Sequence, residues 1–336
     1  MLLIRPVSMT DLHDLLELSI EAGKGMTSLP NDSEAMGHNI QRSIDSFASN
    51  KGRDEDYFLL VMEDTEREKV VGTAGVYSQV GARQAFYAYR LMSTNHHSHS
   101  LDKQVNNDIL QLTNDYTGCS EVGTLFLSPQ YRGNGHWLAK SRYMLMAQFP
   151  ERFSSHVIAE LRGYIDIQGV SPFWNAIGRN FFEMDFEKAD NLCGVGSNQF
   201  ITELMPKYPI YTKLLPQDAQ DVIGKPNRAG LRAKELLEEE GFEYDNVVDI
   251  FDAGPIMRAR IKSLRSIRRM DQGLATITDE KMTTSKCMVS NGQLENFRVI
   301  NAPVVRTGTG FYKLSEDSLA ALNVTPGELL YSILRS

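Results

Sequence analysis

Cysteine is scarce: the 336 residues hold three, Cys119, Cys193 and Cys287, and no two form a CxxC pair. A disulfide framework and a structural zinc site are therefore not expected, and the usage fits a reducing cytoplasm. Cys119 alone makes a weak nucleophile candidate, because lone cysteines are mostly small buried hydrophobes. Long apolar runs are missing too. None approaches the ~20 residues that span a bilayer, so no membrane segment is expected. The opening MLLIRPVSMTDLHDLLEL reaches Arg5, Pro6 and Asp11 too soon for a secretory signal. Positive charge is in deficit, with 35 Lys and Arg against 43 Asp and Glu and a net charge of -8. That balance argues against a nucleic-acid partner. Neither GxxxxGK[ST] nor GxGxxG occurs in the glycine-rich turn described next, which argues against a nucleotide-triphosphate loop and a dinucleotide site there.

What is present is an ordinary globular composition, 42% hydrophobic and 23% charged, in a chain long enough for two domains. Its most informative stretch is 124–146, TLFLSPQYRGNGHWLAKSRYMLM. Residues 124–127 read as a short buried strand. Residues 128–135 read as a Pro- and Gly-rich turn, and 136–146 carry apolar residues at helical spacing. The turn contains Gln130-x-x-Gly133-x-Gly135. Two glycines let the backbone turn tightly and approach a ligand, and the following helix start offers N–H groups and a positive dipole end to an anion. The competing reading is a plain strand–turn–helix.

Along the chain, 1–7 read as a strand, and Asp11 as the cap of a helix carrying Leu12, Leu15, Leu16 and Leu18. A helix over 34–47 precedes a hairpin, 57–62 and 70–76. Residues 92–102 hold His96, His97 and His99 in a polar loop. Their spacing does not converge well on a metal, and one catalytic histidine is the intermediate reading. Glu121 lies just before the apolar run, as half of a surface ion pair or as a group orienting an amine. Strand 156–163 carries Glu160, a half-buried carboxylate able to take a proton from an amine or to pair with Arg162. Residues 171–182 read as one helix with Phe173, Trp174, Ile177 and Phe181 facing the core. Short helices at 216–222 and 231–240, a strand at 247–251 and an alternating basic segment at 256–267 follow. From 275 onward the chain reads as short strands and turns.

The Gln130–Gly133–Gly135 turn resembles the pyrophosphate loop of GNAT acyl-CoA N-acyltransferases, whose pattern is Gln/Arg-x-x-Gly-x-Gly/Ala between a strand and a helix. A narrower resemblance, to the arginine N-succinyltransferase family, rests on many stretches in register. They include Thr27-Ser28-Leu29-Pro30, Asn114-Asp115-Tyr116-Thr117-Gly118, Ser171-Pro172-Phe173-Trp174-Asn175, Glu203-Leu204-Met205-Pro206, Tyr208-Pro209-Ile210-Tyr211 and Asp249-Ile250-Phe251-Asp252.

That resemblance implies transfer of succinyl from succinyl-CoA to the α-amino group of L-arginine, the first step of arginine catabolism by the succinyltransferase route. It implies no permanently bound cofactor, with succinyl-CoA as co-substrate. It also implies a chain that forms a homo-oligomer or pairs with a similar subunit, in the cytoplasm that the cysteine usage indicates. The expected fold class is α/β (α+β): a GNAT-like N-acyltransferase fold with a mixed central sheet and flanking helices. The expected division is an acyl-CoA-binding domain over 1–205, a second α/β region completing the substrate cleft over 206–270, and a small β-barrel-like module over 271–336. Leu125 takes the family's succinyl-CoA contact, beside Gln130, Gly133, Asn134 and Gly135. His96 matches a loop histidine of the family. The family's proton-donor histidine, in a Gly-x-x-His-Pro stretch, is replaced by Asn227, whose amide has no titrating proton. His96 and Glu160 are the candidate bases. Two alternatives stay open: an N-acyltransferase with another acceptor such as ornithine, and a catalytically silent subunit of a paired complex.

Overall fold

The N-terminal strand Leu2–Pro6 buries both Leu3 and Ile4, side chains that point to opposite faces. Its neighbour Tyr57–Asp64 is buried over six successive residues. Strands buried on both faces need cover on both. On one side the helices Leu12–Ala22 and Ser33–Ala48 supply it, packing Leu15, Leu18, Met36 and Ile40 with Tyr57, Leu59 and Val61. A second cluster joins Leu3 to residues near the other end of the chain, among them Val289, Ile300, Leu314 and Leu319.

The computed structural model describes residues 1–23, 26–195, 199–278, 286–308 and 310–333. Contacts divide the chain into two units, both discontinuous in sequence and so cut differently from a linear three-part division. Unit 1 comprises Met1–Gln79, Ser120–Val157 and Arg260–Ser336; unit 2 comprises Val80–Cys119 and Ile158–Ala259.

The fold is mixed α/β with a large, mostly antiparallel sheet. In unit 1 the strand order is Val305–Arg306, Phe311–Leu314, Met270–Ile277, Leu329–Ile333, Lys286–Asn291, Val299–Pro303, Leu2–Pro6, Tyr57–Asp64, Lys69–Tyr77 and Ser120–Leu127. Every neighbouring pair is antiparallel except Met270–Ile277 with Phe311–Leu314. In unit 2, Pro255–Arg260, Glu243–Val248, the hairpin Ala88–Ser98 and Lys103–Thr113, and Ile210–Tyr211 pair antiparallel in that order. Tyr89, Phe173, Trp174, Ile201 and Val248 are among the residues of a core cluster there. Among the described residues no helix is long and apolar enough to cross a membrane.

Several local expectations need correction. Asp11 does not cap its helix through its side chain. Its two oxygens take both terminal nitrogens of Arg5 at 2.8 Å, and Oδ2 also accepts from the Ser8 N–H. Residues 171–182 form two helices, Pro172–Ala176 and Gly178–Phe182, because the backbone leaves helical geometry at Ile177. A Cβ on Gly178 would come within 2.2 Å of the Trp174 ring, so glycine lets the second helix fold back over the indole. Residues 92–98 belong to the long strand Ala88–Ser98 rather than to a loop. The basic stretch 256–267 is a strand only to Arg260, and Arg265–Arg268 is a helical turn.

Candidate active site

The central strand runs over Ser120–Leu127, four residues longer at its start than the apolar run alone indicates. Its register with Lys69–Tyr77 passes from Gly75↔Gly123 to Thr73↔Phe126. Thr124 and Leu125 therefore stand together opposite Ala74, which is a β-bulge. Thr124 has φ 48°, a left-handed conformation that a β-branched residue rarely adopts. The surroundings hold it there. The Thr73 hydroxyl donates to the Thr124 carbonyl at 2.8 Å, and the Tyr57 and Thr124 hydroxyls lie 3.1 Å apart. A Cβ on Gly75 would come within 2.9 Å of Thr124 Oγ1, so glycine makes room for the bulge. Bulges beside active sites re-aim side chains, and this one carries Leu125.

After Leu127 a short turn, Pro129–Tyr131, leads to the site helix Gly135–Gln148. Gly133 has φ 98°, and a Cβ there would meet nothing within 4 Å. Gly135 has only Leu127 near its missing Cβ, at 3.9 Å. Packing does not demand a glycine at either position. Backbone geometry does at Gly133, and the space beside both is open. No side chain caps the helix. Asn134 turns its Nδ2 back to the Tyr131 carbonyl at 2.9 Å. An uncapped helix start beside an open glycine turn is a place for an anion. Gln130 is exposed at its edge. From the helix, buried Arg142 donates from Nη1 to the Gly123 carbonyl at 3.3 Å, tying helix to strand behind the bulge. Burial pulls its pKa below the usual guanidinium value.

Glu121 lies on the same strand, opposite Tyr77. It is half-buried, and burial pushes its carboxyl up to about 7. Tyr77 is raised by burial and then by the Glu121 carboxylate. Tyr57 and Tyr77 stack at 4.5 Å, with the Arg42 guanidinium 5.5 Å and 5.7 Å from their ring centres. An isolated carboxylate in polar sequence looks like a surface ion pair. The signal available in the sequence was its place two residues before Gly123, at the start of the strand that leads into the glycine turn.

The remaining expected site residues all lie in unit 2. Asn227 caps the turn Arg228–Gly230: its Oδ1 accepts from the Gly230 N–H at 2.7 Å, and its own N–H donates to the Arg162 carbonyl at 2.8 Å. With Oδ1 holding the turn, the side chain offers Nδ2 as a donor. Glu160 ends the strand His156–Glu160 and is exposed rather than half-buried, because the strand stops there. The Asn227 contact brings its turn to the segment just after Glu160. His96 is exposed on the Ala88–Ser98 strand, opposite Val105. His97 and His99 pack edge to face at 4.4 Å. Among the described residues no group of three or more His, Cys, Asp or Glu is arranged to hold a metal ion. Beside the Asn227 turn, Asp252 is buried, and burial and then Asp249 push its carboxyl up to about 7 despite Arg162 at 3.6 Å. Cys119 is buried in a core cluster, and burial raises its thiol, as a structural rather than a reactive cysteine requires. Beside the glycine turn, the Tyr131 hydroxyl donates to Asp64 at 2.7 Å.

Unit 1 thus places a bulged strand, an open glycine turn and an uncapped helix start one after another. The chain belongs to the arginine N-succinyltransferase family: residues 2–266 match the family described as arginine N-succinyltransferase beta subunit. An arginine N-succinyltransferase of Escherichia fergusonii is 42% identical over 312 residues, covering 91% of this chain and 89% of that protein. One from Yersinia enterocolitica is 40% identical, covering 98% of this chain and 96% of that protein. Among solved structures, arginine/ornithine succinyltransferase subunit AI from Pseudomonas aeruginosa superposes with a TM-score of 0.88 at 33% identity. It covers 99% of this chain and 98% of that one.

Proposed function

We propose that this chain transfers succinyl from succinyl-CoA to the α-amino group of L-arginine. The carrying observation is full-length similarity to arginine N-succinyltransferases, with the anion-ready turn and Leu125 in one strand–turn–helix. The diphosphate of CoA occupies the turn of Gln130, Gly133, Asn134 and Gly135, and the thioester lies along the bulge at Leu125. A free α-amine has a pKa near 8, so a base of modest strength suffices. Glu121, pushed up to about 7, matches that task near neutral pH. The amine nitrogen attacks the thioester carbon while its proton passes to the carboxylate. The C–S bond then breaks, and CoA leaves as a thiolate with a pKa of roughly 8.5, taking cysteine as the guide. So good a leaving group lessens the need for an acid at Asn227. His96 and Glu160, both exposed, are the alternative bases. Free buried Cys119 and Cys287 agree with a cytoplasmic protein.

Ornithine is the second acceptor to test, because the Pseudomonas aeruginosa neighbour is titled an arginine/ornithine succinyltransferase subunit. That title also favours an assembly, of this chain with itself or with a similar subunit. The deciding experiment follows thiol release from succinyl-CoA with L-arginine, with L-ornithine and with no acceptor, for the wild type and Asn227→His. Arginine-dependent release by the wild type is the expected result. Release by the variant alone would make this chain a silent subunit, and release by neither would sink the proposal.

A further inference from the structure

Unit 1 contains a cavity of about 170 Å³ beside the site helix. Its wall includes Trp137 and Lys140 of that helix, Arg265 and Arg269 around the Arg265–Arg268 turn, and Lys286 and Asn301 of two neighbouring strands. Four permanent cations thus converge from three places on one cavity, in a chain whose net charge is -8. No described carboxylate lines it, and among the described residues none of the four cations is in an ion pair. Like charges gathered this way repel one another unless an anion sits among them. The volume is below the 300 Å³ or so of a drug-sized pocket. It suits one compact, highly charged group. A phosphate monoester carries close to two negative charges and three acceptor oxygens, which matches two guanidinium forks and two ammonium groups.

We infer that this cavity is a phosphate-monoester site, separate from the glycine turn and reading a second phosphate. The position on the helix indicates the source. Trp137 and Lys140 are two and five residues beyond Gly135, so Lys140 stands roughly 7.5 Å along the helix axis from the turn at 1.5 Å per residue. A ligand with a 5′-diphosphate at the turn and a 3′-phosphate on the same ribose spans such a distance. The 3′-phosphate of CoA fits that description, and a free phosphorylated compound shares the chemistry. The inference rests on the CoA reading only for its source.

The test is direct binding, independent of turnover. The chain has two tryptophans; Trp137 lines the cavity and Trp174 is fully buried in unit 2, so fluorescence quenching reports on the cavity. The probes are CoA, 3′-dephospho-CoA, 3′-phosphoadenosine 5′-phosphate, 5′-AMP and inorganic phosphate. They are titrated into the wild type, Lys140→Gln, Arg269→Gln and the double variant, each first shown to melt like the wild type. Lys140→Arg, which keeps the charge, serves as the rescue. We expect the wild type to bind CoA about 10- to 100-fold more tightly than dephospho-CoA, the range for charge-assisted hydrogen bonds. The double variant should lose that preference while binding dephospho-CoA as before. Equal binding of CoA and dephospho-CoA, with Lys140-dependent binding of 3′-phosphoadenosine 5′-phosphate or inorganic phosphate, would assign the site to a free phosphorylated compound. If no probe depends on Lys140 or Arg269, the inference falls. If the probes bind as expected while thiol release fails, the transfer reaction is wrong and the phosphate site stands.

Discussion

Unit 1 gathers its candidate residues into one unbroken stretch, Glu121 to Gly135, whereas unit 2 spreads His96, Glu160 and Asn227 over a hairpin strand, a strand end and a capped turn. A contiguous site is fixed largely by local geometry: a left-handed glycine and an uncapped helix directly follow the bulged strand, and only the bulge is set by its pairing with Lys69–Tyr77. A dispersed site depends on which elements pair, and that is decided by packing. The two units also use glycine differently. Gly133 is open on its outer side, while a Cβ on Gly254 would stand 2.0 Å from the Leu161 carbonyl oxygen.

The sharpest break of this comparison is Glu121→Gln. If unit 1 carries the chemistry, kcat should fall by about 10²- to 10⁴-fold, the usual worth of a general base. The wild-type kcat/KM should also rise with pH up to about 7, a limb that the variant lacks. An unchanged rate would move the base to unit 2, with His96→Gln the next variant.

Glycine substitutions come second. Gly254→Ala should destabilise unit 2 by about 3 kcal/mol or more, since backbone atoms must move apart. Gly133→Ala should cost only ~1 kcal/mol, from its positive φ, and act mainly by raising KM for succinyl-CoA. Denaturant melts of single-tryptophan variants, retaining Trp137 for unit 1 or Trp174 for unit 2, check both.

The pH dependence of stability should run in opposite directions. Asp11 in unit 1 is desolvated by burial, but Arg5 and Ser8 outweigh this and hold its pKa below the usual value. Its contribution is complete above the unfolded pKa near 4 and is lost as pH falls through the lower folded value. Asp252 in unit 2 is raised to about 7. The unfolded chain gives up that proton first, so unit 2 should weaken as pH rises from about 4 to 7, by a few kcal/mol at most. Asp252→Asn should flatten that slope and leave the acid-side loss of unit 1 in place. Parallel slopes in the two units would refute the assignment.

The smallest effect is at Asn227. Asn227→Ala removes the Oδ1 that holds Gly230 and should cost roughly 0.5–2 kcal/mol of stability, read by the Trp174 melt.

How far the sequence could be read follows the same division. The strand, turn and helix of 124–146 are legible because apolar run, glycines and helical spacing lie side by side. The strand's first four residues are not, since Ser120 and Glu121 carry no apolar signature. Residues 92–98 are polar and largely exposed, so alternation could not mark them as strand; their pairing with Lys103–Thr113 does. Glu160 looked half-buried because Val157, Ile158 and Ala159 precede it, yet the strand ends there. The split at Ile177 depends on how closely Trp174 approaches Gly178, a tertiary contact without a local sign. The phosphate cavity draws on 137, 140, 265, 269 and 286, a spacing that no motif describes.

The pairing of Leu3 with Ile300 has a consequence for how the chain is made. At about 5–20 residues per second on the ribosome, roughly 15–60 seconds pass between the synthesis of the two strands. Through that interval one edge of Leu2–Pro6 has no partner, while Tyr57–Asp64 can already cover the other. Unit 2 is fully synthesised at Ala259, before the last segment of unit 1 begins at Arg260. The unit that starts first therefore closes last. A nascent chain stalled before residue 299 should present an open sheet edge of the kind that recruits chaperones or pairs with another copy.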